Sequence, residues 1–198
     1  MVTQEQLDAF KQGVREASEI AAKRMEQRER EREITALKDC ADLVARVDTL
    51  MDMNVGPELW WFRVLTPILE ELSEYCNEYY NEDDIYSENA NEEERDICYY
   101  VISMLNKLDP TWYAQGWYTR PYTGYSVCVA LGEVKKAIRA GREININKQE
   151  LVEWGLAFLR EETSLYGMVI KLNTEEFCTE LVKKLYKKFP ERVKEWGI

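Results

Sequence analysis

The chain contains no histidine among its 198 residues. It therefore lacks the Ser-His-Asp and Cys-His arrangements by which many hydrolases activate a nucleophile. The cysteines are spaced far apart, and none of them belongs to a Cys-x-x-Cys pair. These absences argue against a structural zinc site and against a disulfide framework. Each cysteine is expected to be a small, reduced core residue. The five cysteines are Cys40, Cys76, Cys98, Cys128 and Cys178.

Long apolar runs and an excess of basic charge are also missing. No run approaches the roughly 18 apolar residues of a membrane span. Residues 1–12 are polar and amphipathic, unlike a secretory signal, so we expect a cytoplasmic protein without membrane contact. Acidic residues outnumber basic ones by 37 to 26 and no basic patch occurs, which argues against nucleic-acid binding. Neither glycine-rich phosphate-binding pattern is present.

The acidic residues are concentrated between Glu70 and Asp96. These 27 residues include twelve acidic side chains and a single basic one, Arg95, which leaves 25 of each sign elsewhere. The net charge of −11 therefore lies within this stretch. Two interpretations are open. The acids are ligands for a divalent cation, or they form a solvated acidic face that binds a basic partner.

Spacing within the acidic stretch favours a cation site. Glu71 and Glu74 are three residues apart, as are Glu93 and Asp96, so each pair shares one face of a helix. The polar residues 81–91 between them suit the turn of a helical hairpin. Two antiparallel helices would then bring four carboxylates together. Since like charges repel and raise each other's pKa, a cation such as Mg²⁺, which prefers oxygen ligands, would stabilise the group.

The position of Glu93 on its helix gives a second indication. It falls on the apolar stripe of that helix, which is formed by Ile97, Val101, Met104 and Leu108. A helix whose acids are merely solvated places them opposite its apolar stripe. An acid near a helix N-terminus, however, also stabilises the helix dipole, so this explanation of Glu93 stays open.

Hydrophobic periodicity predicts an all-α fold, because no alternation of strands and helices occurs. Residues 1–56 are predicted to form a long N-terminal helical extension, either one helix or two in line, with a charged middle at Lys23–Glu33. We expect this extension to pack on a partner subunit. Residues 57–198 are predicted to form an all-α domain that contains the acidic hairpin at 66–108.

Capping patterns predict where the helices begin. Thr66 and Pro67 indicate the start of the first acidic helix. Asn91 and Glu94 form a capping box for the second, which runs to Leu108. Three further helices are predicted. The first begins after Ser126 and ends near Ala140, with Gly141 as its stop, and its inward-facing residues are predicted to be Val127, Ala130, Leu131, Val134 and Ile138. The second runs from Asn147 to about Tyr166, and the third begins after Asn173 and ends before Pro190.

An aromatic loop is predicted between Asp109 and Ser126, since its glycines and prolines break regular structure. Two interpretations of its rings are open. They stack on a nucleotide base, with Trp112 as a candidate binding residue, or they cover a core or a subunit interface. The rings belong to Trp112, Tyr113, Trp117, Tyr118, Tyr122 and Tyr125.

Three segments together resemble a known family. Glu70-Glu71-Leu72-Ser73-Glu74, followed after eighteen residues by Glu93-Glu94-Arg95-Asp96, resembles the E-E-x-x-E … E-x-x-D pattern of the MazG-like all-α nucleoside triphosphate pyrophosphohydrolases. This superfamily includes dimeric dUTPases and dCTPases. The apolar helix from Ile97 to Leu108 is similar to the one that follows the family's aspartate. Lys184-Leu185-Tyr186-Lys187-Lys188-Phe189-Pro190 resembles the family's closing K-L-x-x-R-Y-P segment.

The resemblance implies Mg²⁺-dependent hydrolysis of a nucleoside triphosphate to its monophosphate and pyrophosphate, in a homodimer or homotetramer. It assigns the metal to Glu71, Glu74, Glu93 and Asp96, with Glu70 assisting or serving as the base. Lys184 and Lys188 are carried over as phosphate contacts, whereas Lys107 and Arg120 are candidates by position only.

Two other functions compete with hydrolysis. In the first, the protein is a non-catalytic acidic binding or inhibitor protein that imitates nucleic acid or docks on a basic partner. In the second, the long N-terminal helix is the coiled-coil arm of a structural adaptor, although its charged middle interrupts the apolar heptad.

Overall fold

The structure of the protein, a computed structural model, describes residues 4–51, 57–81, 88–115, 126–160 and 170–196. In these residues the regular structure is helical, which confirms the all-α class. A 3₁₀ turn covers Trp112–Gln115. The α-helices are α1 (Gln4–Leu50), α2 (Pro57–Asn81), α3 (Glu88–Leu108), α4 (Val127–Arg139), α5 (Lys148–Phe158), α6 (Thr174–Lys188) and α7 (Pro190–Trp196).

Helices α2 and α3 form the central hairpin, and the other helices pack around it. The second half of α1 contacts α3 and α6, α4 packs on α2, and α5 packs on α3. The shared core consists of fully buried apolar side chains from several helices. They include Leu37 and Val44 of α1, Leu65, Ile68 and Leu72 of α2, Ile102 and Leu105 of α3, and Trp154 and Phe158 of α5.

The two halves of α1 have different surroundings. Residues 10–32 are exposed, including the apolar side chains of Phe10 and Met25, which are 69% and 70% exposed. From Leu37 onwards the helix is amphipathic, and its apolar face is buried in the core that residues 57–196 also form. The predicted N-terminal extension thus includes a segment that belongs to the main core.

A buried polar contact fixes α1 against α3. Asp48 of α1 accepts hydrogen bonds from the Tyr99 hydroxyl (2.6 Å) and from the Ser103 hydroxyl (2.7 Å) of α3. Burial raises the pKa of Asp48, and the two donated hydrogen bonds oppose that rise. Since Tyr99 lies three residues after Asp96, this contact fixes the middle of α3, next to Asp96.

The start of the acidic hairpin differs from the prediction at both helices. Helix α2 begins at Pro57 and continues through Pro67, so the predicted start near Pro67 is wrong. An internal proline costs about 3 kcal/mol. Buried apolar residues on both sides of it, such as Val64 and Ile68, hold the helix together. Helix α3 begins at Glu88, ahead of the predicted cap at Asn91.

Local caps at α5 and α6 are confirmed. Asn147 Oδ1 accepts from the Glu150 backbone N–H (3.2 Å), and Asn173 Oδ1 accepts from the Glu176 backbone N–H (3.3 Å). Ser126 holds the predicted N-cap position of α4 but its side chain makes no capping hydrogen bond. Gly141 follows α4 with a positive φ of 60°, which glycine adopts without strain.

The end of α5 and one face of α4 differ from the prediction. Helix α5 ends at Phe158 rather than near Tyr166, because the chain turns and the Leu172 backbone N–H donates to the Leu159 carbonyl (2.9 Å). Residues 161–169 lie outside the described part. Ile138 is exposed although it was predicted to face inward, and Ala137 is buried instead.

Candidate metal centre

Three glutamates from the two halves of the acidic hairpin meet. Glu71 and Glu74 lie on α2, and Glu93 lies on the first turns of α3. Each offers a carboxylate oxygen, and these oxygens all lie within 4.8 Å of one another. The packing of α2 on α3 brings the two sequence segments together, because their apolar faces share the core. We call Glu71, Glu74 and Glu93 the glutamate cluster.

The glutamate cluster is electrostatically unfavourable by itself. The pKa of Glu71 is raised to about 8, first by burial, then by its hydrogen bond with Glu93 and by the neighbouring negative charges. Burial also raises the pKa of Glu93, while the hydrogen bond that it accepts from Glu71 lowers it. Protonated Glu71 therefore donates to Glu93. Within the described residues, no salt bridge involves these three carboxylates.

The donor set of the glutamate cluster fits a small divalent cation. Oxygen ligands of Mg²⁺ lie about 2.0–2.1 Å from the ion, so two oxygens bound to one ion are about 3–4 Å apart. The observed separations, all within 4.8 Å, are close to that range. Glu71 and Glu93 are partly buried and Glu74 is exposed, and among the described residues none of the three is paired with a basic side chain, so a bound cation would offset their charge. Three acidic residues could thus hold a metal ion.

Asp96, the fourth predicted ligand, has a different partner. Its carboxylate accepts from the Lys184 ammonium, with Nζ 2.8 Å from Oδ1 and 2.5 Å from Oδ2. The same ammonium lies 3.2 Å from Glu92 Oε1. Asp96 remains close enough to Glu71 and Glu93 for its charge to raise their pKa values. It thus stands beside the glutamate cluster, bound to α6.

Residues adjoining the cluster include two that the sequence analysis did not select. Tyr100 is half-buried, and burial followed by the charges of Glu71 and Asp96 raises its pKa. Glu92 shares Lys184 with Asp96, and this ammonium lowers the pKa of Glu92. Sequence spacing could have identified Glu92 and Tyr100, because residues four apart share one face of a helix and Glu92, Asp96 and Tyr100 follow at that interval in α3.

A cleft between α1, α3 and α6 lies next to the residues that adjoin the glutamate cluster. It contains Lys184 and Lys188, the two candidate phosphate contacts, together with Asp96 and Tyr100. Apolar and aromatic side chains complete its lining, among them Val47, Met51, Tyr99, Leu181, Leu185 and Phe189. Lysines that are distant from the acidic hairpin in sequence are therefore brought next to it.

The remaining candidates have other surroundings. Glu70 is exposed on α2, beside Glu71 in sequence. Lys107 is exposed near the end of α3, with its ammonium 6.0 Å from the centre of the Trp60 ring. Trp112 is fully buried, and its ring N–H donates to Asn106 Oδ1 (2.8 Å), so it packs in the core. Arg120 lies outside the described residues.

Comparison of the chain with models of protein families, with curated proteins and with solved structures finds no match. Function is therefore inferred from the glutamate cluster and its neighbours, together with the resemblance in motif pattern described above. Among the described residues, no helix combines the length and apolar character needed to cross a bilayer.

Proposed function

We propose that the protein is a Mg²⁺-dependent pyrophosphohydrolase that converts a nucleoside triphosphate into its monophosphate and pyrophosphate. The observation that carries this proposal is the glutamate cluster. It is assembled from an E-E-x-x-E segment and an E-x-x-D segment that are eighteen residues apart in the chain. The family that these segments resemble uses such carboxylates for this reaction.

In this proposal Glu71, Glu74 and Glu93 hold Mg²⁺, and Asp96 lies beside them as a further oxygen donor. When bound, the ion neutralises phosphate charge and makes water a better nucleophile at neutral pH. Glu70, the exposed neighbour of Glu71, would accept the proton of the attacking water. Water attacks the α-phosphorus, and the phosphoanhydride bond between the α- and β-phosphates breaks. The products are the nucleoside monophosphate and pyrophosphate.

Lys184 and Lys188 would bind phosphate oxygens. Both line the cleft that contains Asp96, so their charges lie next to the glutamate cluster. Lys184 already binds two carboxylates and would exchange part of that contact for phosphate oxygens, which are acceptors of the same charge. Lys188 is exposed and can reach an incoming anion without breaking a described salt bridge.

We further propose that the protein is a homodimer or homotetramer. The support is the exposed first half of α1, where Phe10, Val14, Ile20 and Met25 are each more than half exposed. Most of the stability of a helix in a folded protein comes from packing of its apolar face. A second copy of the chain would cover these side chains. Light scattering of the full chain, compared with a Phe10→Lys, Val14→Lys variant, measures whether this segment sets the oligomer size.

The enzyme proposal is tested by measuring pyrophosphate release from a panel of ribo- and deoxyribonucleoside triphosphates with Mg²⁺. The test variant is Glu74→Gln, and the matched control is Glu88→Gln, which removes the same charge from the acidic stretch. We expect release that Glu74→Gln abolishes and that Glu88→Gln preserves. Absence of release from every nucleotide, with no Mg²⁺-dependent rise in melting temperature, would contradict the proposal.

The same pair of variants distinguishes the acidic docking alternative. A surface that binds a basic partner depends on total charge, so Glu74→Gln and Glu88→Gln would weaken binding about equally. A metal site depends on position. Equal effects of the two variants on binding to a polylysine probe, without Mg²⁺ dependence, would favour the docking function.

A further inference from the structure

Two cysteines that are 138 residues apart in sequence lie side by side in the fold. The Sγ atom of Cys40 on α1 is 3.3 Å from the Sγ atom of Cys178 on α6. Cys40 is fully buried, whereas Cys178 is half-buried where the two helices pack. Neither sulfur is in a disulfide. A disulfide bond is about 2.05 Å long, so the two sulfurs need to approach by little more than an ångström.

We propose that Cys40 and Cys178 form an oxidisable dithiol, which hydrogen peroxide converts into a disulfide that joins α1 to α6. The proposal does not depend on the activity of the glutamate cluster. It rests on the juxtaposition of the two sulfurs and on the difference in their exposure.

The two thiols have different chemical roles. Either thiol can donate the hydrogen bond that joins the two sulfurs. This hydrogen bond lowers the pKa of Cys178 and, with burial, raises that of Cys40. Cys40 also lies 3.7 Å from the carbonyl oxygen of Thr174, a second acceptor for its proton. Since the thiolate is the nucleophile and Cys178 is also the more exposed, Cys178 reacts first.

The reaction balances with one molecule of peroxide. The Cys178 thiolate attacks one peroxide oxygen, the O–O bond breaks, and the departing hydroxide takes up a proton as water, which leaves a sulfenic acid. The Cys40 sulfur then attacks the Cys178 sulfur. The S–O bond breaks, and the second oxygen leaves as water with the proton of Cys40. Two thiols are oxidised by two electrons, and peroxide is reduced to two waters.

The disulfide would fix α6 on the core. Helix α6 carries Lys184, the partner of Asp96, six residues beyond Cys178. A cross-link between residues that are this distant in sequence removes much conformational entropy from the unfolded chain. We expect the oxidised protein to melt on the order of 10 °C above the reduced one.

The test treats the folded full-length chain with limiting hydrogen peroxide, blocks the remaining thiols by alkylation, and maps peptides by mass spectrometry. The expected product has three alkylated cysteines and a cross-linked peptide pair that contains Cys40 and Cys178. Cys128→Ser is the matched control and keeps this pair. Cys40→Ala instead leaves a sulfenic acid at Cys178, which dimedone traps.

Two further measurements make the test decisive. The same oxidation in urea should lose the preference for this pair, and circular dichroism establishes that each variant is folded. If Cys40→Ala does not fold, Cys178→Ser provides the second variant, with expected loss of the cross-link. Five alkylated cysteines after oxidation of the folded protein, mixed pairings that include Cys76 or Cys98, or an unchanged melting temperature would overturn the proposal.

Discussion

Two pairs of carboxylates on the same helical hairpin have opposite electrostatic surroundings. The first pair is Glu92 and Asp96, and the second pair is Glu71 and Glu93. Lys184 binds the first two and lowers the pKa of Glu92. Burial and neighbouring negative charges raise the pKa values of the second two, that of Glu71 to about 8. The difference shows that acidic residue content alone does not decide which carboxylates are paired with a basic side chain. What distinguishes the two pairs is whether another helix supplies a counter-charge.

The largest expected effect comes from removing one donor of the glutamate cluster. Glu74→Gln should lower Mg²⁺-dependent pyrophosphate release by about 100-fold or more, because loss of a metal-ligating group removes transition-state stabilisation. The measurement is kcat/KM with the nucleotide that the panel selects. Glu88→Gln should change it less than about twofold. Comparable losses in the two variants would show that charge, rather than position, controls the activity.

The second effect is a pH dependence of stability in the metal-free protein. In the folded state Glu71 keeps its proton up to about pH 8, whereas in the unfolded chain it loses the proton near its model value of 4.5. Between these values the folded state binds more protons, so the free energy of unfolding falls as pH rises. After solvent screening, we expect a loss of about 1–2 kcal/mol over this window.

Urea denaturation at several pH values in the presence of EDTA measures this slope. Glu71→Gln, which cannot ionise, should flatten it, and Mg²⁺ should flatten it in the wild-type chain because metal binding displaces the proton. A slope that Glu71→Gln leaves unchanged would assign the pH dependence to other groups.

The third effect removes the counter-charge from Glu92 and Asp96. Lys184→Met should lower the free energy of unfolding by about 1 kcal/mol, because it leaves the partly buried Asp96 carboxylate without its partner. Lys183→Met is the control on the same helix. Its pair with Glu180 is exposed to solvent and should contribute much less than the pair of Lys184 with Asp96. Equal losses in the two variants would remove the distinction between these lysines.

The smallest effect concerns the placement of α6, which carries Lys184. Asn173→Ala removes the side-chain cap of α6 and should cost about 0.5–1 kcal/mol. The change should lower thermal stability while leaving the pH slope of the glutamate cluster intact. An altered slope would show that the position of α6 also controls the cluster.

Features that depend on neighbours in sequence were predicted well. The caps at Asn147 and Asn173 and the glycine stop at Gly141 are confirmed, because each involves atoms only a few residues apart. The predicted start of α2 was wrong, because burial of apolar residues before and after Pro67 outweighs the free-energy cost of a proline inside the helix. Exposure of Ile138 likewise depends on which helices surround α4.

For the candidate site, the sequence by itself determined which glutamates come together. Three-residue spacing places them on one face of each helix, and the apolar stripes of the two helices pack against each other. Only the tertiary structure decided which carboxylates receive a counter-charge. Lys184 reaches Asp96 across 88 residues, and Cys178 reaches Cys40 across 138. No local pattern encodes either contact. Both arise because α6 packs against α1 and lies beside α3, and that arrangement depends on the apolar faces of all three helices together.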